Sequence, residues 1–245
     1  MVSLVPREAG HTLLQPLLNE HSPADALASY YAFYHPAERK EVFAHHSSAL
    51  GRADGFLVRA RTGMDLFRPL VTFRADTEEA AQALFQEGLL PNRPVYLVAP
   101  ESLSTWVNTY LVITEAEIHN VYRFDSDRAK PEINVLLVTS TSPDGTPRCE
   151  IRSAGNAAGA VAGVNWLSPR FAEIYVHTDP AVRGRGWGKS VVAALAQQLL
   201  GRGRTPRYVV AETNAYSIRL AQSVGFIDTG YREYVGQALK VTNDK

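Results

Sequence analysis

The segment "RGRGWGKS", from Arg183 to Ser190, constrains this chain more than any other. It lies between the apolar run "FAEIYV", typical of a strand, and "VVAALAQQLL", whose valine and leucine side chains share a helical face. Glycines at 184, 186 and 188 remove side chains from the turn, so that backbone N–H groups can approach an anion closely. The start of the following helix adds free N–H groups and the positive end of its dipole. The segment therefore predicts a phosphate-binding turn between a strand and a helix.

Three ligand classes use such a turn. A nucleotide P-loop requires G-x-x-x-x-G-K-[ST], but Arg183 stands where the leading glycine belongs, and the chain after Ser190 is short for the remaining βα units. A dinucleotide fingerprint requires G-x-G-x-x-G, whereas the glycines here follow G-x-G-x-G. The pattern that fits is R-x-x-G-x-G, formed by Arg183, Gly186 and Gly188. A glycine-rich tight turn without a ligand is the structural alternative.

A second motif follows one strand later. The segment "NAYSIRLAQSVGF" predicts a helix that begins at Asn214 and ends at Gly225. Together with "FAEIYVHTDPAVRGRGWGKSVVAAL", it resembles the GNAT superfamily of acyl-CoA-dependent N-acyltransferases. The closest similarity is to the branch with glycine N-acyltransferase-like and antibiotic-resistance acetyltransferases. The resemblance covers residues 133–235.

The resemblance implies an α/β (α+β) fold with a mixed, mostly antiparallel central sheet, and acetyl-CoA (coenzyme A) as cofactor. The cofactor is expected at a strand end, the glycine loop and the next helix start: Val176, Thr178, Arg183, Gly184, Arg185, Gly186, Trp187, Gly188, Lys189, Ser190, Asn214 and Ser217. Alternatives remain open for several of these residues. Val176 is also explained by core packing, Trp187 by packing against the helix, and Asn214 by helix capping alone.

Direct acyl transfer to an amine requires a proton acceptor and an oxyanion donor. The candidate bases are Glu173, within the strand, and His177, at its end. Glu173 and Val176 should face opposite sides of the sheet unless a bulge intervenes, and an ordinary salt-bridged residue is the alternative for Glu173. Many relatives carry a tyrosine where this chain has Ala221. The thiolate would then be protonated by water, Ser217 or another tyrosine, or would leave unprotonated.

These observations favour an N-acetyltransferase that acts on a primary amine of a small molecule. Two alternatives remain: an acyl-CoA sensor without catalysis, and a protein acetyltransferase acting on lysine or an N-terminus. The acceptor and the acyl-chain length are left open by the sequence.

Composition limits the partners and the compartment. Lys+Arg and Asp+Glu both number 25, which argues against nucleic acid as a partner. No apolar run approaches the roughly 20 residues that span a bilayer. A single cysteine, Cys149, excludes an intrachain disulfide, and no histidine shows metal-ligand spacing. We therefore expect a cytoplasmic monomer or homodimer with no metal, membrane or nucleic-acid partner.

The polar segment "DSDRAKPE", residues 125–132, predicts a domain junction. Residues 1–128 are then an N-terminal α/β domain without a cofactor loop, and residues 129–245 are the GNAT domain. Residues 125–160 have room for a hairpin, signalled by Asp144-Gly145, but not for the two helices that open a complete GNAT fold. The first domain is therefore either a diverged GNAT-like domain or the source of the missing helices.

Overall fold

The computed structural model describes residues 1–6, 8–48, 51–63, 65–129, 136–153 and 157–240. The chain forms two compact units, Met1–His119 with Arg232–Lys245, and Asn120–Tyr231. The chain passes between them inside two long strands, Val112–Phe124 and Phe226–Leu239. This division lies before the expected boundary at 128/129 and assigns the end of the chain to the first unit. Residues 130–132 of the predicted junction lie outside the described residues.

The first unit contains the N-terminal helices and a sheet. Its elements are β1 Val2–Leu4, α1 Gly10–Leu14, α2 Ala26–Ser29, β2 Lys40–Ser47, β3 Arg52–Ala60, β4 Leu70–Ala75, α3 Glu78–Gly88, β5 Val95–Pro100, α4 Ser104–Tyr110 and the start of β6 Val112–Phe124. The strand order is β1-β2-β3-β4-β5. Neighbours are antiparallel from β1 to β4, and β4 and β5 are parallel.

The second unit contains the glycine loop. Its elements are the end of β6, β7 Leu137–Thr141, β8 Pro147–Arg152, β9 Ala158–Leu167, β10 Phe171–Thr178, α5 Trp187–Gly201, β11 Thr205–Ala211, α6 Ala215–Val224 and the start of β12 Phe226–Leu239. The strand order is β7-β8-β9-β10-β11-β6. Strands β7 to β10 pair antiparallel, and β10 and β11 are parallel. This sheet confirms the predicted fold class, and Gly145 makes the expected hairpin turn with a φ of 83°.

The two halves of the chain repeat one order of elements. In each half, four antiparallel strands are followed by a helix, a strand parallel to the fourth, a second helix and a long strand. The first half also has α1 and α2 between its first two strands. Helix α3 in the first half thus corresponds to α5 in the second, and α4 corresponds to α6. The first half is therefore GNAT-like in its topology, which is the first of the two expectations for it.

Each unit has its own apolar core. In the second unit, Val191, Leu195 and Leu199 of α5 pack against the sheet, as their spacing predicts. In the first unit, Leu84 and Phe85 of α3 take the corresponding role. Within the described part of the chain, no helix is long and apolar enough to cross a membrane.

Candidate functional site

The pairing of strands β10 and β11 stops before the strands end. Their parallel pairing runs from Phe171–Thr205 to Ile174–Tyr208. Strand β10 nevertheless continues to Thr178. The ends of the two strands, next to the glycine loop, are therefore not paired with each other.

The loop between β10 and α5 requires glycine at two positions. Gly184 has a φ of 80° and Gly186, the N-cap residue of α5, has a φ of 76°. These left-handed conformations are unfavourable for other residues. A Cβ atom at either position would meet no heavy atom within 4 Å, so the space beside both residues is open. No described side chain caps α5, whose first turn therefore offers its backbone N–H groups to this space.

The corresponding helix of the first unit begins differently. The Oγ1 atom of Thr77 accepts a hydrogen bond of 3.2 Å from the N–H of Ala80 at the start of α3. Glu78 and Glu79 place two carboxylates in the first turn. The start of α3 is thus already capped by a side chain and would repel an anion.

A pocket of about 290 Å³ lies at the start of α5. Six of the predicted cofactor residues line it: Thr178, Gly184, Gly186, Trp187, Gly188 and Lys189. The opposite wall comes from α6 and was not predicted: Tyr216, Arg219, Leu220 and Ser223. The sequence could have indicated this wall, because positions 216, 219, 220 and 223 share one face of the helix that Asn214 begins.

The third glycine of the loop serves close packing. A Cβ atom on Gly188 would approach Thr178 Oγ1 to 2.8 Å and Leu220 Cδ1 to 3.1 Å. Trp187 packs in a similar way, because a Cβ atom on Gly159 would come within 2.6 Å of its ring. The indole therefore lies against strand β9, whereas the packing alternative for this residue placed it against the helix.

The other predicted cofactor residues of the loop lie around the pocket. Ser190 is buried, and its hydroxyl donates a hydrogen bond to the carbonyl of Gly186. Arg183 and Arg185 are exposed: Arg183 Nε lies 3.4 Å from the carbonyl oxygen of Thr178, and the Arg185 guanidinium lies over the Trp187 ring.

The remaining predicted cofactor residues have structural contacts. The Oδ1 atom of Asn214 accepts a hydrogen bond of 3.1 Å from Ser217 N–H, which makes Asn214 the N-cap of α6. The Ser217 hydroxyl lies 3.0 Å from the Tyr208 hydroxyl, and burial raises the pKa of Tyr208. Val176 packs partly against the apolar core.

The two candidate bases have different surroundings. Glu173 forms an ion pair with Arg207, its neighbour on β11, and accepts a hydrogen bond of 3.2 Å from Asn165. Arg207 is fully buried, and its guanidinium lies over the ring of Trp166. His177 is exposed at the end of β10.

A β-bulge interrupts the pairing of β9 with β10 beside Glu173. The pairing of β10 with β9 shifts between Glu173 and Ile174, from partner Trp166 to partner Val164. The extra residue is Asn165 of β9, and β10 itself keeps its alternation. Glu173 and Val176 therefore keep opposite faces, and Asn165 and Trp166 belong to the surroundings of Glu173.

The single cysteine takes no part in this site. Burial raises the pKa of Cys149 to about 11, so its thiol stays protonated near neutral pH. Within the described ranges, no group of histidine, cysteine and acidic side chains could hold a metal ion.

The chain resembles known proteins both in sequence and in structure. Residues 158–235 match the family described as FR47-like protein. The structure resembles a putative GNAT-family acetyltransferase from Novosphingobium aromaticivorans, with 20% identity, a TM-score of 0.58, and coverage of 76% of this chain and 89% of the other.

Two further structures resemble nearly the whole chain. A GNAT-family acetyltransferase from Colwellia psychrerythraea is 12% identical with a TM-score of 0.61, over 98% of this chain and 100% of the other. A tandem GNAT protein from the clavulanic acid biosynthesis pathway is 13% identical with a TM-score of 0.64, over 100% and 99%. None of the curated proteins matches by sequence. The likeness confirms the fold predicted from the two motifs.

Proposed function

We propose that this chain, which has the GNAT fold and an FR47-like segment at residues 158–235, is an acyltransferase that moves an acyl group from acyl-CoA to a primary amine. The observation that carries the proposal is the uncapped start of α5 beside the ends of β10 and β11, which are not paired with each other. Acetyl-CoA is the proposed donor and a small molecule the proposed acceptor. The donor supplies the acyl group as an activated thioester.

The residues present fit the diphosphate of coenzyme A. The open space beside Gly184 and Gly186 allows a bulky anion to reach the backbone. Lys189 and Arg219 line the same pocket and add positive charge. The chain would hold the cofactor with the N–H groups of the first turn of α5, and these two side chains would neutralise the phosphate charge.

Between the predicted bases, we assign the proton transfer to His177. The ion pair between Glu173 and the buried Arg207 stabilises the ionised carboxylate and so opposes proton uptake. His177 is exposed at the end of β10, and its imidazole is a side chain that can accept a proton. Its role is to accept the proton from the attacking amine, directly or through water.

Acyl-CoA binding is tested by replacing Gly186 with alanine. The variant forces a non-glycine residue into a left-handed conformation and fills the space that the phosphate would occupy. We expect at least a tenfold loss of acetyl-CoA affinity in calorimetry, about 1.4 kcal/mol. The matched control is Gly203→Ala, because Gly203 has a φ of 73° and equally open surroundings but does not line the pocket. Equal affinities of the two variants would contradict the proposed site.

Turnover is tested by release of free CoA from acetyl-CoA in the presence of amino acids, polyamines, aminoglycosides and lysine-containing peptides. The proposal predicts CoA release with at least one small amine and a mass increase of that amine equal to one acyl group. Tight acetyl-CoA binding without acyl product across the panel would favour the sensor. Product formation with peptides alone would favour a protein acetyltransferase.

The two candidate bases are separated by substitution. For His177→Gln we expect kcat to fall about a hundredfold or more with unchanged stability. For Glu173→Gln we expect kcat to change far less, and the free energy of unfolding to fall by about 3 kcal/mol because Arg207 would be left buried without its counter-charge. The opposite pattern would make Glu173 the base.

A further inference from the structure

A second cavity, of about 940 Å³, lies in the first unit and shares no residue with the pocket at α5. It is found where β3 ends and where β2, β4 and β5 begin. The place in the first unit that corresponds to the phosphate loop follows the opposite, carboxyl end of β4. This cavity, called the basal cleft below, is therefore not a remnant of a cofactor site.

Three large apolar side chains of the basal cleft are exposed to solvent. Phe67 is 91% exposed, Leu66 is 87% exposed and Leu90 is 54% exposed, and all three line this cleft. A soluble surface rarely gathers large apolar side chains in one depression unless they contact a partner or ligand.

The turn that carries two of these side chains is fixed by Asp65. Its Oδ1 atom accepts hydrogen bonds from the N–H groups of Phe67 and Arg68, at 2.9 and 3.0 Å. Its Oδ2 atom accepts one of 2.6 Å from Arg68 Nε. The hydrogen bonds from Phe67 and Arg68 lower the pKa of Asp65. The Asp65 carboxylate therefore stabilises the turn, and Leu66 and Phe67, which belong to this turn, line the cleft.

The remaining walls of the basal cleft carry a surplus of positive charge. Five cationic and three acidic side chains line it: Arg39, Lys40, Arg59, Arg61, Arg93, Glu38, Glu41 and Asp65. Glu41 is paired with Arg59 at 2.6 Å, and Asp65 with Arg68, which lies outside the cleft. Arg39 and Arg93 are exposed, and among the described residues neither makes an ion pair. Two guanidinium groups thus face a cleft that also offers an apolar surface.

We propose that the basal cleft binds an amphipathic organic anion, a carboxylate with an apolar body. The carboxylate would contact Arg93, Arg39 would add positive charge to the same cleft, and the apolar body would cover Phe67, Leu66 and Leu90. The volume of the cleft lies in the range of small-molecule sites, which extends to about 1,000 Å³. Recognition needs both parts of the ligand, because exposed arginines alone bind a small anion weakly.

The test compares three probes on the full chain by calorimetry, below their micelle concentrations. Decanoate carries both features, acetate only the charge, and decyltrimethylammonium only the apolar chain. We expect binding of decanoate and at least tenfold weaker binding of the other two. Equal binding of decyltrimethylammonium, or no binding of decanoate, would overturn the proposal.

Two variants place the binding in the basal cleft. Phe67→Ser should weaken decanoate binding by about tenfold, as expected for lost burial of an aromatic ring. Arg93→Glu should weaken it by about fivefold. The matched controls are Val112→Ser, at an apolar residue 52% exposed outside the cleft, and Arg170→Glu, at an exposed arginine of the second unit. Binding that survives both cleft variants would overturn the assignment, and circular dichroism checks the fold of all four.

Discussion

At the scale of the residue, buried charge is placed where a partner compensates it. Arg207 is fully buried and forms an ion pair with Glu173 on the neighbouring strand. Lys40, at the start of β2, is half-buried, and its ammonium donates a hydrogen bond of 2.7 Å to the carbonyl of Ala32. Burial lowers the pKa of Lys40 from 10.5 to about 8. The charged form of Lys40 is therefore less favourable in the folded protein than in the unfolded chain.

This shift predicts a pH dependence of stability. Between pH 8 and about pH 10, the unfolded chain holds a proton on Lys40 that the folded protein has released, so the contribution of Lys40 to stability rises with pH. The free energy of unfolding of the natural protein, minus that of Lys40→Met, should therefore increase across this interval. Urea unfolding at pH 7, 8, 9 and 10 measures it. A difference that is constant with pH would show that burial does not perturb the lysine.

At the scale of the element, α3 and α5 occupy the same place in the repeat but begin in opposite ways. Helix α3 has a side-chain cap and two carboxylates in its first turn. Helix α5 has a glycine N-cap in a left-handed conformation and no described side-chain cap. A cap stabilises a helix, whereas an uncapped start leaves N–H groups for a ligand. The first unit therefore uses this helix start for stability, and the second presents it to the pocket.

The cap of α3 can be measured directly. Thr77→Ala removes the hydrogen bond to Ala80 N–H and should lower the free energy of unfolding by about 1 kcal/mol. The control is Thr109→Ala on α4, whose hydroxyl only donates to the carbonyl of Thr105 on an exposed surface. This control should change stability by less than about 0.5 kcal/mol. Equal losses for both variants would remove the distinction between a capping threonine and a surface threonine.

At the scale of the whole molecule, the end of the chain completes the first unit. Residues Glu233–Ala238 of β12 pair antiparallel with Val95–Pro100 of β5. Tyr234 and Ala238 belong to the apolar core that contains α3. The first unit thus depends on residues that lie more than a hundred positions later in the sequence.

Close packing at Gly236 tests this dependence. A Cβ atom there would lie 2.9 Å from Ile113 Cγ2 and 3.2 Å from the carbonyl oxygen of Thr114, both in the first unit. Gly236→Ala should lower the free energy of unfolding by about 1–3 kcal/mol and speed amide exchange in β5. Gly201→Ala is the control, because nothing lies within 4 Å of its added methyl group. Unchanged exchange in β5 would show that β12 contributes little to the first unit.

The sequence by itself determined the glycine loop, the helix that follows it, the N-cap of α6 at Asn214 and the resemblance to the GNAT fold. These features depend on neighbouring residues, because turn conformation, capping and helical spacing are local properties. Tertiary structure alone decided which side chains meet across strands and helices. It paired Glu173 with Arg207 and brought Arg219 to the glycine loop. It also made Lys40–Ser47 a strand of the sheet, although the mixed polar and apolar sequence of this segment does not predict a strand. It also produced the repeat of the two halves, because the order and pairing of strands can persist when the helix starts that would reveal a common motif have diverged.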